Sequence, residues 1–429
     1  MKNKRESIIL RIKNRINSNN FMEDNRFSKK DFTRKRKLPF TSLMLFMINL
    51  VKLTLQKELT NFMRLFSNKK ENITKSAFSQ SRLKLKHTAF IELNDLIIEE
   101  FYTDNDFKTW KGFRLLGIDG SRLALPNSKE ILNYFGYLKN QSEMYVPMAE
   151  MSTCYDLLNE LILSSSIDKF EKGEQDLAIE HLNKVSGNNL FIYDRGYAIL
   201  WFMYYHINQN KNFIIRLKRK AFKELRDFFE SDEESKVITI NELGEDSQTQ
   251  LNQKNIDFKS FKIRLIKVWL KNGEVEVLAT SLLDENKYLT KDFKWLYSKR
   301  WGIETNFDHL KNHLQLENFT GLSVLSVKQD FFANAFIINM HSIIAGDAQE
   351  DIDLNLKNRE LHYKINKNLS LGFMKDRIVE ILTNNSPKYY EELKELFKIE
   401  PLPVRPDRSF PRNYHRTRRK YYMNKKKGI

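Results

Sequence analysis

Residues 297–311 read YSKRWGIETNFDHLK. Helical periodicity returns at about Thr290 and runs through this stretch. On a helix advancing about 100° per residue, with Glu304 as zero, Tyr297 falls near about +20° and Arg300 near about −40°. Lys311 falls near about −20° and Asp308 near about +40°. A tyrosine, an arginine, two carboxylates and a lysine therefore share one stripe. Ile303, Phe307, Leu310 and Leu314 gather beside it at roughly −60° to −120°. Such a helix buries its apolar face on a sheet and holds the polar stripe at the edge of the core. Taken alone, the stripe suits equally a solvated face with an i,i+4 ion pair, Arg300 with Glu304. The place of Asp308 beside Lys311 suits an ion pair as well.

Two more carboxylates stand where apolar runs end. Phe113–Ile118 runs into Asp119-Gly120, and Arg122–Leu125 follows before Pro126, which predicts a strand, a tight turn and a second strand. Asn189–Tyr193 is a buried strand that runs into Asp194-Arg195-Gly196-Tyr197, with a helix from about Ala198 to Ile207. Between them lie strand candidates Met148–Tyr155 and Leu161–Ser164 and an amphipathic helix, Glu171–Val185; Phe213–Leu217 is a further strand. With Arg122–Leu125 as a short extension of the turn, the order is three strands, helix, strand, helix, strand. That order suits an α/β, ribonuclease-H-like core in which three antiparallel strands precede a parallel pair. Singly, Asp119-Gly120 reads as a turn and Asp194 as a helix cap. In the predicted sheet, however, Asp119 ends the first strand and Asp194 just follows its neighbour. Glu304 arrives from a helix packed across them. Three carboxylates suit a hard cation such as Mg²⁺. Two such ions about 4 Å apart activate a water or a 3′-hydroxyl and stabilise the leaving oxygen of a phosphodiester.

Tyr297, Arg300, Glu304 and Lys311 match the signature Y-x2-R-x3-E-x6-K at all four positions. With IDGSRLALP around Asp119, YDRGY around Asp194 and a long strand-rich gap before Glu304, the sequence resembles the DDE transposases of bacterial insertion sequences, in the subgroup with the Y-R-E-K signature. The motifs cover about residues 110–320. The resemblance implies that Asp119, Asp194 and Glu304 are catalytic and hold two Mg²⁺ (or Mn²⁺) ions, and that Tyr297, Arg300 and Lys311 bind DNA phosphates. It implies metal-dependent cleavage of insertion-sequence ends and strand transfer into target DNA, with a hairpin intermediate as one route. The partners would be double-stranded DNA, as terminal inverted repeats and target, and a second copy of the chain, since two ends must be joined. The family often inserts a tryptophan from its β insertion where a base is flipped out. Trp269 is the only tryptophan in the corresponding stretch, and its expected place is the hairpin core. The alternatives are a ribonuclease-H-like nuclease and a non-catalytic DNA-binding derivative. The presence of all three carboxylates speaks against the derivative.

The rest of the chain fits a protein that meets a polyanion. Its 429 residues carry a formal charge of +17, and its 41% hydrophobic content is that of a globular protein. From Arg405 to Ile429 ten Lys/Arg face one acid, with Tyr414, Tyr421 and Tyr422 interleaved, a pattern suited to DNA contact. No apolar stretch approaches the roughly 20 residues of a membrane span, no signal peptide is visible, and there is no Gly-rich phosphate loop for ATP. The single Cys154 excludes an intrachain disulfide and fits a cytoplasmic setting. His309 and His313 have the i,i+4 spacing of helical zinc pairs, but no third ligand is evident in the sequence.

The expected organisation is a helical DNA-binding region over 1–110, a first part of the core over 111–219, a β-rich insertion over 220–289, the second part of the core over 290–345 and a helical C-terminal region with a basic tail over 346–429. Within the first, Leu38–Phe66 is helical, and Ile73–Leu85, capped by Thr74, is a candidate recognition helix or an ordinary surface helix. Within the insertion, Val237–Ile240 alternates, and Phe261–Leu270 and Val275–Leu283 flank the hairpin signal Asn272-Gly273.

Overall fold

The computed structural model describes residues 2–405 other than 35, 50–52, 67–71, 140–144, 220–221, 271–272 and 385. The basic tail beyond Arg405, with its three tyrosines, lies outside the described residues, as does Asn272 of the hairpin signal. Helices α1 (Lys2–Ile16), α2 (Asn19–Asn25), α3 (Phe40–Ile48), α4 (Leu55–Phe66), α5 (Lys75–Arg82) and α6 (Thr88–Phe101) come first. They are followed by β1 (Arg114–Ala124), α7 (Lys129–Phe135), β2 (Tyr137–Lys139), β3 (Tyr145–Asp156), β4 (Leu161–Lys169), α8 (Glu174–Lys184), β5 (Asn189–Tyr193), α9 (Leu200–Asn208) and β6 (Asn212–Arg216). Then come α10 (Lys223–Glu230), β7 (Ser235–Ile240), α11 (Glu245–Gln253), β8 (Phe261–Trp269) and β9 (Val275–Thr280). The chain closes with α12 (Asp292–Ser298), α13 (Trp301–Asp308), α14 (Val324–Asn355), β10 (His362–Lys364), α15 (Lys367–Met374), α16 (Arg377–Thr383), α17 (Lys388–Phe397) and β11 (Leu402–Val404).

Strands β4, β3, β1, β5 and β6 lie side by side in that order. β1 runs antiparallel to β3 and parallel to β5, and β5 runs parallel to β6. This is the ribonuclease-H-like α/β arrangement expected from the order of elements. All five residues of β5 are buried, as a strand covered on both faces requires. The turn expected at Asp119-Gly120 is absent. β1 runs straight through it, with Asp119 opposite Thr153 and Gly120 opposite Ser152. Nine consecutive register pairs with β3 outweigh the local turn preference of Asp-Gly. The strands of residues 220–289 form the predicted hairpin, but β9 pairs antiparallel with β6, so they extend the same sheet rather than stand apart. Two helices, α10 and α11, are interspersed among them. Trp269 is 44% exposed at the end of β8 instead of sitting in the hairpin core.

Helix α14 spans 32 residues and is buried on most of its circumference, as its apolar residues on every side require. The N-terminal helices pack on it through buried polar links. Asn339 donates to Asn94 (2.7 Å) and to the Ile162 carbonyl (2.8 Å), and Arg5 reaches Asp347 (2.6 Å). The region predicted as one helix over Leu38–Phe66 contains α3 and α4. The candidate recognition helix is shortened to α5, whose Phe78 and Arg82 point inward. Among the described residues no helix is long and apolar enough to cross a membrane.

Several histidines are held neutral in this core. His206 is fully buried, bonded to the Tyr193 hydroxyl (2.9 Å) and the Phe202 carbonyl (2.8 Å), and burial pushes it down to about 4. A folded value below the unfolded one, about 6.5, gives stability that is present above that pH and lost as the pH falls towards 4. We expect His206→Gln to flatten the pH dependence of stability between pH 6.5 and 4 by up to about 1.4 kcal/mol per pH unit relative to the parent. Urea midpoints measured across that range test this; parallel profiles would refute it.

Candidate active site

Parallel pairing of β1 with β5 brings the two aspartates together. Gly117 lies abreast of Ile192, so Asp119 and Asp194, each two residues further on, come to the same end of the paired strands, where the charge of Asp194 acts on Asp119. Asp119 Oδ1 accepts from the Gly120 amide (2.9 Å). Asp194 Oδ1 accepts from the Gly196 amide (2.7 Å), capping the short turn Arg195–Tyr197 and not the expected helix, α9, whose N-cap is Ile199. Burial, and then the charge of Asp194, pushes Asp119 up to about 7, while Arg300 acts in the opposite sense. Two carboxylates that oppose each other's charge are a setting that a bound cation relieves.

The third element is broken rather than straight. The single predicted helix divides at Lys299-Arg300 into α12 and α13 and ends in a π turn over His309–His313. The break lets α13 lie closely on β1. A Cβ on Gly117 would stand 3.1 Å from Leu157 Cδ2 and 3.4 Å from Ile303 Cβ, and one on Gly302 would stand 3.2 Å from Leu157 Cδ2. Ile303 thus seats over Gly117, two residues before Asp119, and Glu304 is the next residue along α13. Gly117→Val is expected to lift α13 from the sheet, to cost about 1–3 kcal/mol by overpacking and to remove activity with it. A thermal melt together with a cleavage assay would show this, and a stable, fully active variant would refute the seating.

The signature side chains are all brought to this edge. Arg300 Nη2 donates to Glu304 Oε1 (2.6 Å), so the simple ion pair that the stripe allowed is formed. Tyr297 and Arg300 are buried, and the Tyr297 hydroxyl and Arg300 Nε have no hydrogen-bond partner. Lys311 reaches from the π turn to Ser121 Oγ and the Arg122 carbonyl, both at 2.6 Å, two and three residues beyond Asp119. Asp308 turns to Asn312 (2.5 Å) and lies 3.8 Å from His313. The structure supplies the third ligand atom that the sequence lacked for the histidine pair: Asp308, His309 and His313 offer atoms within 4.8 Å of one another. No other three such groups come that close among the described residues, so neither Glu304, which is paired with Arg300, nor Glu174 of α8 is drawn that near to both Asp119 and Asp194.

Two acids at this edge were not singled out in the sequence. Glu150 on β3 is buried, lies 3.8 Å from Arg122 and is pushed up to about 7 by burial and then by Glu174. Glu174 opens α8, where a first-turn acid reads simply as favourable to the helix dipole. Beside these acids the hydroxyls of Thr153 and Tyr197, both buried, also lack partners. An all-oxygen donor set with orphaned polar atoms around it fits a hard divalent cation.

Comparison with known proteins places this geometry in a family. The Transposase DDE domain family matches residues 110–340, more than half of the chain. The chain belongs to this family. The matched span of the DDE domain starts just before β1 and reaches into α14, so it contains Asp119, Asp194 and Glu304. The transposase InsG for insertion sequence element IS4 of Escherichia coli (strain K12) is 22% identical over 294 residues, covering 67% of this chain. The chain spans 65% of the length of that relative. Among solved structures, the cryo-EM structure of a piggyBac transposase synaptic complex with hairpin DNA aligns at a TM-score of 0.46 and 9% identity, covering 91% of this chain and 85% of that one.

Proposed function

We propose that this DDE-family chain is an insertion-sequence transposase that cleaves the DNA ends of its element and joins them to target DNA. The observation that carries this reading is the seating of the signature helix on β1, the strand that bears Asp119 and pairs with the strand leading to Asp194, inside the span of the family match. Asp119, Asp194 and Glu304 would hold two Mg²⁺ (or Mn²⁺) ions. Bound there, divalent ions supply the charge that activates a water or a 3′-hydroxyl and that stabilises the leaving oxygen. The chain's own residues do the positioning. The Tyr297 hydroxyl and Arg300 Nε, buried without partners, are free to donate to phosphate oxygens. Lys311 adds a cation anchored to β1. Together they neutralise the backbone and align a phosphodiester for in-line attack.

The net charge of +17 supports double-stranded DNA, both terminal repeats and target, as the partner. A homodimer would hold two ends in one complex, without ATP and in the cytoplasm. A strand-transfer assay with paired inverted-repeat ends, Mg²⁺ and a supercoiled target tests the proposal. Products covalently joined to the target are expected. Hydrolysis alone would favour a nuclease, and end binding without cutting would favour a non-catalytic derivative.

A further inference from the structure

Glu174 stands where the loops following β1 and β5 converge. A Cβ on Gly120 would lie 3.3 Å from Glu174 Cγ. A Cβ on Gly196 would lie 3.8 Å from Glu174 Oε2 and 2.9 Å from Asp194 Oδ1. One carboxylate therefore roofs the residue after Asp119 and the residue two past Asp194, and the Glu174 and Asp194 oxygens face a common point. Among the described residues Glu174 makes no hydrogen bond or ion pair, and its side chain is open to solvent. An independent observation comes from Tyr197, which is fully buried with an unpartnered hydroxyl. Burial, followed by the charges of Asp119, Glu174, Tyr193 and Asp194, holds its proton in place, which sets this hydroxyl in the surroundings of the same acids. Glu304, in contrast, is occupied by Arg300.

We propose that Glu174 is a fourth carboxylate of the centre, forming with Asp119 and Asp194 a divalent-cation site that does not need Glu304. The proposal rests on the metal-dependent reading of the active site given above. It assigns an order to the donors: the three acids at the β1–β5 edge take a first cation while Glu304 stays paired with Arg300, and Glu304 is needed for the second. The two glycines follow from the same geometry, since a side chain on either would enter the space that the carboxylates enclose.

Direct Mn²⁺ binding to the full chain without DNA, followed by electron paramagnetic resonance and calorimetry, tests this. Glu304→Gln should keep one Mn²⁺ site of nearly parental affinity. Glu174→Gln should weaken that site at least about tenfold, the scale of losing a carboxylate that shapes a metal centre. Glu174→Asp should recover part of the loss. The melting temperature of the metal-free Glu174→Gln protein separates this from a purely structural role. Relief of repulsion leaves it unchanged or raised, whereas loss of a helix-dipole charge lowers it. Unchanged Mn²⁺ affinity in Glu174→Gln, with affinity lost in Asp119→Asn, overturns the role of Glu174 alone. Unchanged affinity in both overturns the metal-site reading beneath it.

Discussion

Glu304→Gln should reduce cleavage of the element's ends by about a thousandfold or more while leaving end binding intact. The amide keeps the shape of the side chain and can still accept from Arg300, whose Nη2 lies 2.6 Å from Glu304 Oε1. It loses the negative charge that a divalent ion needs from its ligand. Metal-assisted stabilisation of a phosphoryl transition state is worth several kcal/mol, and each decade of rate corresponds to about 1.36 kcal/mol. Stability should change little, within about 1 kcal/mol, because the Glu304 side chain is one-third exposed and a pair of that kind contributes little in water. The groups proposed to bind phosphate, Tyr297, Arg300 and Lys311, keep their own side chains, so a gel-shift affinity for the terminal repeat should be that of the parent. Cleavage with Mg²⁺ at the parental rate would remove Glu304 from the catalytic set.

Arg82→Ala is expected to give the largest loss of stability, about 3–5 kcal/mol, the range for breaking a buried charged pair from one side. The guanidinium is 3% exposed and is satisfied in four directions. Nε donates to Gln329 (2.8 Å), Nη1 to Thr320 (2.7 Å), and Nη2 to Asp330 (2.8 Å) and the Ser326 carbonyl (3.2 Å). Gln329 returns two bonds to the carbonyls of Arg82 and Leu85. Removing the arginine strands a carboxylate and an amide between α5 and α14. A urea melt measures the loss. The same variant bears on the recognition-helix reading of α5. An arginine that reads bases would, when removed, weaken DNA binding and spare the fold. An arginine that ties α5 to α14 would do the reverse, and this is the outcome that its burial supports.

Much of the architecture was readable along the chain because it is written in local periodicity. The strands around Asp119 and Asp194, the helix Glu174–Lys184 between them and the hairpin of β8 and β9 appear near their expected bounds, whereas α7 and β2 were not expected. Spacing placed the signature residues on one helix face, since i, i+3 and i+4 positions share a face whatever surrounds it, and the resemblance to the Y-R-E-K signature singled them out from a solvated ion-paired stripe. What failed did so where distant segments overrule local preference. Asp119-Gly120 is a turn by composition, but β3 supplies register partners on both sides and the strand continues. The signature helix is continuous by periodicity, but it breaks at Lys299-Arg300 and settles on β1 where Gly117 and Gly302 remove the intervening Cβ atoms. Trp269 was expected in the hairpin core, yet it lies exposed at the end of β8.

The sequence by itself determined the order of the main strands and helices of the core, the basic charge and the residue types that can bind a metal and a phosphate, because each is a property of neighbouring residues or of composition. Only the tertiary structure decided that the strands after β6 join the same sheet, that α5 turns its arginine inward, and that Glu174 and Glu150 approach the aspartates. Those facts depend on which strand edges pair and which helix lies over which strand. Such contacts join residues tens to hundreds of positions apart, and no local pattern records them.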